Sequence, residues 1–274
     1  ANLRASAAVG GINSNVQGRW NTVVQSINAM SDETRRDPAW VYWKARGLLQ
    51  QGPSKRTEAL ALLEGIASVR GFYEQLALEE LGQKVSTPAI PTPLTVAEKE
   101  AARQNPNLTR ALYAINMGLR AEGVREWNYG TNLVNGQGQA GGMTERELLA
   151  AADYACSAQV WDRCINTSER TKAEFDHTQR FPMPFKDAVV QRASQINLDP
   201  AYVYGLIRQE SRFIMDARSG VGASGLMQVM PATARWTAKK TGLDGFTPDQ
   251  ITHRDTNIAI GTGYLKLVLD DFAG

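Results

Sequence analysis

Apolar residues recur three and four positions apart along almost the whole chain, and Gly or Pro interrupts them at short intervals. That periodicity predicts an all-α fold built from short amphipathic helices. Trp20, Val23, Val24 and Ile27 form one stripe. Trp40, Trp43, Gly47 and Leu48 form another behind Asp37-Pro38. After the Gly52-Pro53 break, Ala59, Leu62, Leu63 and Ile66 resume the pattern, and Phe72, Leu76 and Leu78 carry it to Gly82. Four such helices cannot each bury a face alone, so they are expected to stack as helix hairpins in a solenoid-like array. No strict repeat period assigns them to a named repeat class.

Gln83 to Thr95 holds Pro88, Pro91 and Pro93 and reads as a linker. Helices return with Leu108, Ala111, Leu112, Ile115 and Leu119, and then around Trp127. The glycine-rich run from Asn135 to Gly142 lacks the Lys-Ser/Thr ending of a phosphate-binding loop and reads as a surface loop. Thr144 and Glu147 have the spacing of a capping box, and Phe181-Pro-Met-Pro184 closes the region. The expected organisation is a helical array over 1–84, a linker helical domain over 85–180 and a C-terminal domain over 181–274.

At 274 residues with 43% hydrophobic content, the chain is long enough to bury more than one core. Its 30 basic and 28 acidic residues leave a net charge of +2, which gives no case for a nucleic-acid partner. No apolar run is long enough to span a bilayer. The opening Ala-Asn-Leu-Arg-Ala-Ser lacks the apolar core of a signal peptide, so an exported form is expected to have lost its leader or to begin upstream. His177 and His253 stand apart from any Cys or second His at ligand spacing, so no metal site or cofactor is implied, and no Ser/His/Asp arrangement is available.

The chemistry concentrates on Glu210, the one glutamate between Phe181 and Gly274. Asp199-Pro200 is a favourable helix start. Along it Val203, Leu206, Ile207, Phe213 and Ile214 lie at helical spacing from Glu210 and share its face, so Glu210 is expected to point where the core points. Apolar neighbours disfavour the charged form of a carboxyl, which suits a general acid. The alternative is a carboxylate at the helix edge, paired with Arg208 or Arg212 or capping a neighbouring backbone. The following Asp216-to-Gly225 segment is too rich in Gly and Ser to be helical and is short enough to hold backbone groups nearby. It leads into Leu226-Met227-Gln228-Val229-Met230, where Gln228 can donate to and accept from sugar hydroxyls or tie down its own loop. A helix restarts at Pro231 and runs along Ala234, Ala238 and Thr241 until Gly242 stops it. Glycosidases commonly use two carboxylates. No obvious partner to Glu210 stands nearby, since Asp199 is used as a cap and Asp216 has no apolar periodicity to fix it, which leaves a distant aspartate such as Asp244 or Asp255 folding back as the alternative.

Gln209-Glu210-Ser211, Ser219, Gly222-Ala-Ser-Gly225-Leu-Met-Gln228, Met230-Pro-Ala-Thr-Ala234 and Asn257-Ile-Ala-Ile-Gly261-Thr-Gly-Tyr264-Leu together resemble the catalytic domain of soluble lytic murein transglycosylases. The resemblance implies a goose-lysozyme-like helical domain behind an α-superhelical region, whose last turns Trp40 to Arg46 and Phe72 to Gly82 resemble. It implies cleavage of the β-1,4 bond between N-acetylmuramic acid and N-acetylglucosamine in peptidoglycan. In such enzymes one glutamate protonates the glycosidic oxygen and then takes the proton of the muramyl C6 hydroxyl, which closes a 1,6-anhydro ring. By the same resemblance Glu210 is the acid and base, Ser219 lies near the muramyl N-acetyl group or the anhydro ring, and Gly225, Gln228 and Met230 line the glycan groove. The expected location is the bacterial periplasm, free or associated with the membrane, with peptidoglycan strands and other cell-wall enzymes as partners. The family's pattern continues into an Ala-Tyr-Asn helix and begins with earlier superhelical turns, so this sequence is expected to be a piece of a longer protein. A hydrolytic muramidase using the same glutamate, or a glycan-binding scaffold that does not cut, are the alternatives. In an oxidising compartment Cys156 and Cys164 are expected to form a disulfide across a turn at Ser157-Ala-Gln, with two buried free thiols as the other outcome.

Overall fold

The computed structural model describes residues 16–135 and 137–272. Every regular element among them is helical, and β-pairing is confined to isolated bridges. The chain divides into two compact units, residues 1–89 and 90–274.

In the first unit, α1 (Val16–Asn28), the short α2 (Asp32–Arg35), α3 (Pro38–Leu49), α4 (Arg56–Ile66) and α5 (Phe72–Glu80) follow one another. α3 packs on α1, α4 and α5, as expected for stacked hairpins. Its start follows from chemistry: the Asp37 carboxylate accepts from the Ala39 N–H at 2.9 Å, ahead of Pro38. Gly47 lets α3 approach α1 closely, since a Cβ there would lie 2.7 Å from a methyl of Val24. Ala45, Leu48, Ala59, Leu63 and Ala77 fill the core between the helices.

The second unit contains α6 (Val96–Gln104), α7 (Pro106–Asn116), α8 (Arg120–Asn132), α9 (Glu145–Ser157), α10 (Trp161–Ser168), the short α11 (His177–Arg180), α12 (Lys186–Gln195), α13 (Pro200–Glu210), α14 (Pro231–Thr241) and α15 (Arg254–Asp271). Capping boxes at Thr95/Glu98 and Thr144/Glu147 start α6 and α9. Leu108, Ala111, Trp127, Ala151 and Cys164 belong to one buried cluster. Ile165, Val189, Val203, Ile207, Leu226 and Ile258 belong to a second. α10 therefore contributes adjacent residues to both cores. It is tied to α8 by the Trp127 indole N–H, which donates to Thr167 at 2.9 Å. It is tied to α9 by the Cys156–Cys164 disulfide, with Cα atoms 5.1 Å apart, well within the ordinary range. No helix among the described residues is long and apolar enough to cross a membrane.

Candidate active site

The helix carrying Glu210 begins as its sequence dictates. Asp199 accepts from the Ala201 N–H at 2.8 Å, with Pro200 in the first turn. Its end differs from the expectation of a helix running through Ile214: α13 stops at Glu210 itself. Arg212 and Phe213 then adopt positive φ angles of 49° and 67°, an unfavourable backbone for residues with a Cβ. The turn is held by the Ser211 hydroxyl, which donates to the Ile207 carbonyl and accepts from the Phe213 N–H at 3.1 Å. What offsets the strain is burial, because the turn drives Phe213 into the core at 4% exposure. Glu210 is consequently an exposed residue at a helix end, not a carboxyl pressed among the apolar side chains of a continuous face.

The arginine alternative fails as well. The Arg208 guanidinium donates to the Arg180 carbonyl at 2.7 Å, pairs with Glu169 and lies over the Phe181 ring. Arg212 pairs with Glu169 at 3.4 Å and donates to the Asn166 side chain. Glu169 thus draws both cations away. Among the described residues, no hydrogen bond or ion pair reaches the Glu210 carboxylate.

Glu210 instead faces a cleft of about 400 Å³ whose walls include Leu206, Met227, Gln228, Met230, Tyr264 and Leu265. It is the one carboxylate among those walls. Asp216, Asp244 and Asp255 are exposed and lie outside them, and Asp255 pairs with Arg254 at 2.7 Å.

The Gly/Ser-rich segment leads into the Met227-to-Met230 stretch that walls this cleft. Ser224 and Val229 exchange backbone hydrogen bonds at 3.1 and 3.0 Å. Ser219 closes a smaller turn, with its hydroxyl accepting from the Ala223 N–H at 3.0 Å. The buried Asn257 of α15 is the clamp. Its carbonyl accepts from the Met227 N–H at 2.8 Å, and its amide donates to the carbonyls of Ser224 and Ile251 at 3.0 and 2.6 Å. Gly225, at φ 80°, makes room for it: a Cβ there would sit 2.2 Å from the Asn257 amide nitrogen. Gly261 does the same one turn along α15, where a Cβ would fall 2.4 Å from the Met227 sulfur.

Of the residues singled out from sequence, Glu210, Gln228 and Met230 meet at the cleft, whereas Ser219 and Gly225 are not among its walls. The Gln228 amide donates to the carbonyls of Ala217 and Gly225 at 3.0 and 2.9 Å, so its nitrogen ties the loop down. No hydrogen bond to its carbonyl occurs among the described residues, which leaves that acceptor free on a residue that walls the cleft. Tyr264 and Leu265 were not assigned from sequence. The available signal was the spacing of Gly261, Tyr264, Leu265 and Val268, one stripe of α15 that walls the cleft.

Residues 187–274 match the family model described as the transglycosylase SLT domain. They are a transglycosylase SLT domain. This domain spans α12 to α15 and therefore holds the whole cleft. Beyond it, the chain is 33% identical over 242 residues to the soluble lytic murein transglycosylase of Escherichia coli K12, across 88% of this chain and 35% of that protein. The chain thus spans about a third of the length of the curated relatives it matches. Among solved structures it is similar to an inactive glutamate-to-glutamine mutant of lytic transglycosylase Slt from Pseudomonas aeruginosa, with a TM-score of 0.75, 30% identity and coverage of 94% of this chain and 40% of that one. The 70-kDa soluble lytic transglycosylase of Escherichia coli superposes with a TM-score of 0.73 at 27% identity, covering 98% and 41% of the two chains. The all-α architecture with a lysozyme-like SLT domain is shared with these homologues.

Proposed function

We propose that the SLT cleft cuts the β-1,4 bond between N-acetylmuramic acid and N-acetylglucosamine in peptidoglycan and leaves 1,6-anhydromuramyl ends. The protein would work in the periplasm or outside the cell. The observation that carries this reading is a single carboxylate, without a counter-cation, in a cleft with apolar walls. A hydrolase of the two-carboxylate kind needs a second acid to activate water or to attack carbon. Here Glu210 protonates the glycosidic oxygen as the bond breaks. It then accepts the proton of the muramyl C6 hydroxyl as that oxygen bonds to C1, so the substrate supplies its own nucleophile and no water is consumed. A sugar seated against Leu206, Met227 and Leu265 covers the carboxyl and expels water, so the desolvation absent from the open cleft comes from the substrate. The Gln228 carbonyl is placed to accept from a sugar hydroxyl or N-acetyl N–H, and Met230 supplies an apolar edge. Ser219 and Gly225 contribute by holding the loop.

The test is Glu210→Gln in the intact protein, with anhydromuropeptide release from purified sacculi followed by mass spectrometry. Because Glu210 is exposed and has no partner, the amide should fold with unchanged stability. Product release should fall by about a thousandfold, the range for losing a general acid and base. Undiminished release would remove Glu210 from this role. Reducing ends in place of anhydro ends would make the wild-type protein a muramidase.

A further inference from the structure

An exposed tryptophan of α14 meets an exposed tyrosine of α15 that walls the cleft. Trp236 is 47% and Tyr264 42% exposed, and their rings stand edge to face with centroids 6.3 Å apart and planes at 82°. Tyr264 walls the cleft, as does Thr233, one helical turn before Trp236 on α14. The Lys240 ammonium lies 5.9 Å from the indole centroid, one turn further on. α14 has no need of an aromatic at this position, since it packs through Ala234, Thr237 and Ala238. A lone exposed aromatic is ordinary. A tryptophan braced by a tyrosine that itself lines a binding cleft, with a cation beside it, is a shelf continuous with that cleft.

We propose that Trp236, braced by Tyr264, is a sugar-stacking platform that holds the glycan strand beyond the cutting cleft and makes the protein prefer long strands to short ones. The apolar face of a pyranose ring packs on an indole, and the nearby Lys240 favours strands that carry the carboxylates of stem peptides. The inference rests on reading the cleft as a glycan site. It goes beyond that reading by assigning a length preference to a residue that does not wall the cleft.

The test separates binding from cutting. Peptide-free strands of alternating N-acetylglucosamine and N-acetylmuramic acid, four and eight sugars long, are titrated calorimetrically into Glu210→Gln protein. The same is done with Trp236→Ala or Trp236→Phe added. Trp236→Ala should raise Kd for the eight-sugar strand by about tenfold, the worth of one aromatic stacking contact. It should leave the four-sugar strand within about twofold by the same reasoning, and Trp236→Phe should recover most of the loss. Equal Kd values for all three proteins overturn the platform. So does a loss shared equally by both lengths, which marks Trp236 as a support for the cleft itself. Anhydro-end release is read separately in proteins that keep Glu210. Its absence strikes the proposed reaction, while the length-dependent Kd still decides the platform.

Discussion

Gly225 and Asn257 show how one residue's lack of a side chain can position another's. The Asn257 amide satisfies the Ser224 carbonyl and the Met227 N–H of the loop together with the Ile251 carbonyl of the neighbouring turn, and it fits only because Gly225 leaves the space empty. Gly225→Ala would place a methyl 2.2 Å from the Asn257 nitrogen and 2.9 Å from the Ile251 carbonyl oxygen, at φ 80°. Backbone strain and forced displacement of the clamp should together cost about 2–4 kcal/mol. Urea unfolding of wild type and variant would measure it, and a midpoint unchanged at equal m-value would show that the clamp is dispensable. The sequence assigned Gly225 to the glycan groove and gave no sign of the side chain it makes room for, because a glycine's purpose is set by what approaches it. Asn257 lies thirty-two positions downstream, and nothing local marks it as the partner. For Glu210 the sequence predicted apolar surroundings that the structure does not give it. Apolar spacing reports a shared face only while the helix lasts, and here it ends on the residue of interest.

Helix starts were legible because their chemistry is local, whereas the end of α13 was not. Asp37, Thr144 and Asp199 all cap the helices that their sequence patterns announced. The α13 end is decided by a long-range gain, the burial of Phe213, made through two residues in a left-handed conformation that no Gly or Asn signals. The capping box of α6 gives a test at this scale. The Glu98 carboxylate accepts from the Arg146 guanidinium at 2.7 and 2.8 Å and from the Thr95 N–H at 2.7 Å. These bonds, that from Arg146 foremost, hold its pKa at about 2, below the usual 4.5. A carboxyl whose pKa is depressed on folding adds stability that is complete above its unfolded pKa and is lost as pH falls towards the folded one. The melting temperature of wild type should therefore exceed that of Glu98→Gln at pH 6, and the gap should close between about pH 4.5 and pH 2. A gap that stays constant across that window would mean that the charge of Glu98 contributes nothing to the cap.

At the scale of the whole molecule, the decisive fact is that buried apolar residues gather in separate clusters on either side of the proline-rich stretch. The periodicity made the helices readable, and the prolines made the break between them readable. Which helices share a core was not, since the sharing of α10 between two clusters depends on neighbouring residues, Cys164 and Ile165, joining different ones. Residues 83–95 have no regular secondary structure, and Lys84 and Val85 are both exposed. Extended, exposed backbone fits a protease site without prior unfolding, while a bond inside a packed helix must first open at a free-energy cost. Brief trypsin treatment of the native protein should therefore cut first after Lys84, ahead of the basic residues on α3, α9 and α14. The C-terminal product should resist further digestion, because residues 90–274 form a compact unit with its own buried clusters and a disulfide. It should also keep a helical circular-dichroism spectrum and a cooperative melt. Intact-mass analysis over the first minutes identifies the bond. Early cuts spread through α6 to α15 instead would mean that this unit does not hold itself together.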